Sequence, residues 1–258
     1  MEGVKTVVFN LELKNKYKSL VVWIMVLSIL IFAILAILPS METESMQSLV
    51  DAKLEGIPDG LLVALGIEKI PDFTNPSVCY GYIYLYINMA IVIFASLLVA
   101  NALVEEESSG KIEYLYGQSL SRKKIFVEKL LASMALLLIL LVLITAVAMM
   151  SLKTFKSHQY TIREINESLF RFFLGSLFTN FIFIAFGILL SSLLKILKSI
   201  TSFIMAFVFG TYIVGIIGEL VGKYDFLNKL SPLKIMNPLD IMEQFPSWKI
   251  VVPWLGSP

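Results

Sequence analysis

The chain has 258 residues, of which 57% are hydrophobic and 16% charged, and its apolar runs are too long to hide inside a soluble domain of this size, so lipid is part of its solvent. A formal net charge of +1 without a long basic run excludes nucleic acid as a partner, because phosphate binding needs clustered lysine and arginine. A single cysteine, Cys79, and a single histidine, His158, exclude an intramolecular disulfide and a multi-histidine metal site, and no cofactor is expected in the chain.

Crossing the hydrocarbon layer takes roughly 20 mostly apolar residues in a helix, since only a backbone hydrogen-bonded within itself is tolerated there. Before the first such run, Val4, Val7, Val8 and Leu11 recur at helical spacing among Lys5, Asn10 and Lys14. This pattern predicts a helix lying in the membrane interface before the chain turns into the first span. The run itself exceeds a signal-peptide core and lacks a small-residue cleavage pattern, so it reads as a retained anchor. Spans are predicted near 20–38, 78–104, 130–152, 169–194 and 200–221. The expected fold is all-α: a polytopic transmembrane helix bundle of about five spans, one domain over 1–258, with the amino-terminal interfacial helix and a further helix in the 105–129 loop.

Pro39 ends the first span, and Leu49, Leu54, Leu61, Leu62 and Leu65, interrupted at Gly56-Ile57-Pro58, suggest short amphipathic helices before the second. Tyr80, Tyr82, Tyr84 and Tyr86 open that second span as an interfacial aromatic belt. Basic residues in short loops resist translocation. Lys5 to Lys18, then Lys111, Arg122, Lys123, Lys124 and Lys129, then Lys195 and Lys198, place the amino terminus and the 105–129 loop in the cytoplasm. Lys53, Lys153, Lys156, Lys223 and Lys234 lie in the opposite, longer segments. After the fifth span come Pro232, Pro238, Pro246 and an apolar stretch at 250–255 that is too short to cross. The carboxyl terminus is therefore expected outside, with a sixth span missing.

The 105–129 loop is the most informative stretch. Glu105, Glu106 and Glu107 end the second span; Ile112, Leu115 and Tyr116 then share a helical face bounded by Gly110 and Gly117. Ser121 stands where it would cap a helix running through Ile125, Phe126 and Lys129 into the third span. The apolar face offers burial to a partner, its charged rim offers pairing, and a force on it would reach the membrane through a stiff connection.

In Glu105 to Glu107, Gly110, Glu113, Leu115, Ser121-Arg122 and Lys129 the chain resembles the permease subunits of ABC-2 type exporters. The similarity continues in Pro58-Asp59-Gly60-Leu61-Leu62, Leu65-Gly66-Ile67, Leu230-Ser231-Pro232 and Asn237-Pro238, with Leu120 where that family commonly has proline. The resemblance implies six spans, a dimer with a second copy or paralogue, and a separate ATP-binding subunit, carrying ATP and Mg, docked against this loop. Glu105, Glu106, Glu107, Gly110, Ile112, Glu113, Leu115, Tyr116, Ser121, Arg122 and Lys129 would then be the coupling residues of an ATP-driven exporter. The chain has no phosphate-binding glycine loop ending in Lys-Ser or Lys-Thr, and it is not expected to be an enzyme.

Within the spans, Asn88, Asn101 and Asn180 are candidates to line a pathway or to hydrogen-bond between helices. Thr211, Gly215, Gly218 and Gly222 form a small-residue stripe that predicts close helix approach. Glu219 beside it is expected to snorkel to the interface, the alternative being a substrate or proton contact. An intramembrane protease lacks a nucleophile–base pair on the spans. The remaining rival to an exporter is a scaffold, immunity or sensory subunit that keeps the loop to bind an ATPase without transport.

Overall fold

No proline interrupts any of the five apolar stretches beyond its first turn, and each closes into one long helix. The computed structural model describes residues 7–41, 48–49, 52–53, 56–64, 75–109, 121–155, 161–193, 197–221 and 225–246. In chain order the helices are α1 (Val7–Leu35), α2 (Leu38–Met41), α3 (Asp59–Ala64), α4 (Pro76–Ser109), α5 (Arg122–Phe155), α6 (Ile162–Leu193), α7 (Leu197–Val221), α8 (Asp225–Lys229), α9 (Pro232–Ile235) and α10 (Pro238–Glu243). The described residues contain no strand. Five helices, α1 and α4 to α7, are long and apolar enough to cross a membrane. The fold is a polytopic transmembrane helix bundle.

The helices outrun the expected spans. At about 1.5 Å per residue, the 34 residues of α4 and of α5 exceed a hydrocarbon layer of about 30 Å. The separate interfacial helix expected at the amino terminus is corrected: α1 runs unbroken from Val7 to Leu35. Nothing between those residues could turn the chain, since the stretch holds neither glycine nor proline. Val8, Glu12 and Leu20 are buried along it, and its main neighbour is α5. One end of the bundle, here the loop end, carries the start of α1 and the α4–α5 connection.

The central element is α4. In its apolar stretch 78% of residues are buried inside the protein, against 22% for α1 and 28% for α7, so the outer helices turn most of their surface to lipid. One apolar cluster joins α1, α4, α5 and α6; a second joins α4, α6 and α7. The widest contact is α4 with α6. Gly187 on α6 permits it, because a Cβ there would stand 3.0 Å from the carbonyl oxygen of Ser96 on α4. Tyr80 and Tyr84 correct the aromatic-belt expectation. Four residues apart, they share the helix face that meets α6, are buried, and pack on Phe172, Tyr80 tilted at a ring distance of 5.9 Å and Tyr84 stacked at 5.3 Å. Tyr86 alone of the four is exposed.

After α7 the chain folds back. Ser231 Oγ accepts from the Lys234 amide at 3.2 Å and Asn237 Oδ1 from the Leu239 amide at 3.3 Å. Each cap is followed by a proline at the first helical position, where a missing N–H costs nothing. The resulting short helices pack on α4, α6 and α7 at the end opposite the loop, the cap end.

Replacing Gly187 by valine is expected to separate α4 from α6 and to lower resistance to SDS-driven unfolding by about 1–3 kcal/mol. Gly210→Ala serves as the internal comparison. Its added methyl meets nothing within 4 Å, and it is expected to be neutral or to stabilise by up to about 1 kcal/mol.

Candidate functional site

Of the coupling residues expected from the sequence, those within the described residues lie at the loop end. Glu105, Glu106 and Glu107 fall on the last turns of α4, with side chains outside the described residues, as is that of Arg122, the first residue of α5. Gly110, Ile112, Glu113, Leu115 and Tyr116 lie outside the described residues altogether. Ser121 does cap α5: its Oγ accepts from the Lys124 amide at 3.3 Å and its carbonyl from the Ile125 amide at 3.2 Å. Lys129 is buried and donates from Nζ to the Ala102 carbonyl of α4. Beside it, the Glu128 carboxylate accepts from the Phe9 amide of α1 at 3.4 Å and pairs with Lys124 at 3.8 Å. The two helices that flank the loop are thus bonded to each other and to α1 at its root.

Halfway along the bundle, two of the three pathway asparagines meet. Asn88 Nδ2 donates to Thr179 Oγ1 at 3.2 Å, and its Oδ1 accepts from Ser176 Oγ at 2.5 Å. Asn180 Nδ2 donates to the Ser176 carbonyl and hydroxyl at 2.8 and 3.1 Å. All four side chains are buried between α4 and α6. They form a polar clasp, where an unmet polar group would be most costly; Asn180 Oδ1 is left without a partner among the described residues. Asn101 is not part of it: it sits about three turns further along α4 towards the loop end, half-buried, with Oδ1 unpartnered among the described residues.

The small-residue stripe on α7 packs against the returning helices rather than against another span. A Cβ at Gly215 would stand 3.0 Å from Ser231 Oγ, and one at Gly218 would stand 2.9 Å from Leu227 Cβ. Thr211 is buried and bonds within its own helix to Val208; Gly222 lies outside the described residues. Two glycines not singled out from the sequence act alike. Gly175 of α6 seats Ile241, whose Cδ1 would lie 2.8 Å from an added Cβ, and Gly81 of α4 seats Leu239 at 3.1 Å. Three spans therefore each present a glycine socket to α8–α10.

Charges close the same contact. Arg171 of α6 donates to the carbonyls of Ile241, Met242 and Glu243 at 3.2, 2.9 and 3.4 Å, meeting the open C-terminal end of α10. Glu219 corrects the snorkelling expectation: it pairs with Lys234 at 3.1 Å, and Lys234 also reaches Asp240 at 3.8 Å. Pairing wins because the partner arrives from above on α9 within reach of a short carboxylate. Burial pulls the Lys234 ammonium below its ordinary range and pushes the Asp240 carboxyl above its own, each partly opposed by the other's charge. A cavity of about 20 Å³ beside the pair is walled by Leu85, Tyr212, Ile216, Glu219, Lys234 and Asn237, room for about one water. The readable signal for this cap was the pair Ser231-Pro232 and Asn237-Pro238, each a capping residue followed by proline.

The family model of ABC-2 family transporter proteins matches residues 6–251. The chain belongs to the ABC-2 transporter family. This ABC-2 protein is accordingly a multi-pass membrane permease of an ABC transporter, a transport component that is not itself catalytic. No curated protein and no solved structure matched the chain in the corresponding comparisons.

Arg171→Met is expected to loosen the cap of this permease by leaving the α10 carbonyls without their donor. With Ile241→Cys as reporter in a Cys79→Ser background, a water-soluble maleimide should react at least tenfold faster in the Arg171→Met protein than with Arg171 present.

Proposed function

We propose that this permease belongs to an ATP-driven exporter in which a separate ATP-binding subunit docks on the 110–120 loop and supplies the energy. The observation that carries the reading is the root of that loop: Lys129 of α5 bonded to Ala102 of α4, the helix around which the bundle is packed. A partner that gains or loses contact with the loop between two nucleotide states would act on α4 directly, and only such differential contact can shift a conformational equilibrium.

In this reading the chain works as one transmembrane domain over 1–258, with its amino terminus in the cytoplasm of the cell membrane. Exposed Lys14, Lys18 and Lys123 at the loop end support that orientation. Ile112, Leu115 and Tyr116 supply the buried part of the docking face. Glu105, Glu106, Glu107, Glu113 and Arg122 supply its charged rim, Gly110 and Ser121 its ends, and Lys129 its anchorage. ATP and Mg are held by the partner, and a second permease copy or paralogue completes the assembly.

The test is co-purification from detergent with candidate ATP-binding subunits. The wild type is expected to retain a partner ATPase, and the Leu115→Asp, Tyr116→Asp double variant to lose at least tenfold of it while its own unfolding profile is unchanged. If no ATPase associates with the wild type under conditions that preserve complexes, the reading fails. A partner whose nucleotide state leaves the permease conformation unmoved would instead favour the scaffold, immunity or sensory role.

A further inference from the structure

Two adjacent residues of α5 join three helices. Successive positions on a helix point about 100° apart, so Glu128 faces α1 while Lys129 faces α4. Glu128, 8% exposed, receives the Phe9 amide of α1. Lys129, 4% exposed, places its ammonium on the carbonyl of Ala102. Ala102 lies well inside α4, so one lone pair of that oxygen serves the helix ladder and the other is open to the lysine.

A methionine would fill the same space between α4 and α5. A methionine cannot supply a directed bond. Apolar contact keeps two helices side by side yet lets them slide along their axes, the small shear by which packed helices move. A side chain bonded to one particular carbonyl opposes that slide.

We propose that Lys129 is a positioning residue for energy coupling: its bond to Ala102 locks the axial register of α5 against α4. The helices on either side of the 110–120 loop then move as one body, with α1 attached through Glu128. The motion in question rests on the exporter reading; the lock itself belongs to the permease alone.

Spin labels at Tyr86 and Met150, exposed positions on α4 and α5 far from the lock, report the register as a distance distribution in a Cys79→Ser background. In the isolated permease the Lys129 protein is expected to give a single narrow distance, and Lys129→Met a distribution displaced or broadened by on the order of 2 Å. Lys129→Arg, which keeps a donor, restores the narrow form. Should Lys129→Met not fold, Lys129→Gln, too short to reach the carbonyl, is measured in its place. In a complex with the partner ATPase trapped by ATP and vanadate, the wild-type distance stays constant and that of the variant changes. A wild-type distribution in Lys129→Met or Lys129→Gln overturns the lock, and a wild-type distance that changes on trapping overturns the single-body motion. The isolated permease contains no ATPase, so a failure there is separate from failure of the exporter reading, which co-purification decides.

Discussion

The contact between α4 and α6 is the constraint on which the rest of the bundle depends. Lipid tails are as apolar as leucine, so no hydrophobic pull brings two spans together; close approach and interhelical hydrogen bonds must do so. Gly187 supplies the approach by letting the Ser96 backbone come within contact of α6. The clasp of Asn88 with Ser176 and Thr179 supplies the bonds. With α4 fixed in this way it becomes the buried helix, and α5 and α7 pack on it while α1 packs chiefly on α5.

The two ends of the bundle are fastened by different chemistry. At the loop end the joints are charged side chains on backbone groups: Lys129 on the Ala102 carbonyl and Glu128 on the Phe9 amide. At the cap end they are glycine sockets filled by Leu239, Ile241 and Leu227, with Arg171 and the Glu219–Lys234 pair around them. Directed bonds hold a register. Sockets hold a shape. Since α4 reaches from one set of joints to the other, a displacement at the loop has an unbroken helix along which to reach the cap.

Polar residues illustrate why a position inside the membrane does not define a role. Asn88 and Asn180 share the same layer, yet Asn88 spends both ends of its amide on Thr179 and Ser176 of α6, whereas Asn180 bonds only to Ser176 of its own helix and leaves Oδ1 without a partner among the described residues. Asn101, on the same helix as Asn88 and about three turns nearer the loop, keeps an unpartnered oxygen among the described residues. Asn88 differs from both in what the neighbouring helix brings opposite it, a property of pairing rather than of the asparagine.

The sequence by itself determined how many helices cross the membrane, their order and the family. Those features depend on local quantities: apolar run length, the placement of proline, and a loop motif read residue by residue. The caps at Ser231 and Asn237 were within its reach too, since a capping residue followed by proline acts within one turn, although those residues were read only as part of the family resemblance. Only the tertiary structure decided that α1 continues unbroken out of the span, that Tyr80 and Tyr84 turn inward to Phe172, and that Gly215 and Gly218 receive a returning segment instead of a neighbouring span. Helical periodicity gives the direction in which a side chain points, but the partner that stands there is set by pairing between distant segments. Arg171 and the α10 carbonyls, some 70 residues away along the chain, carry no local trace of each other.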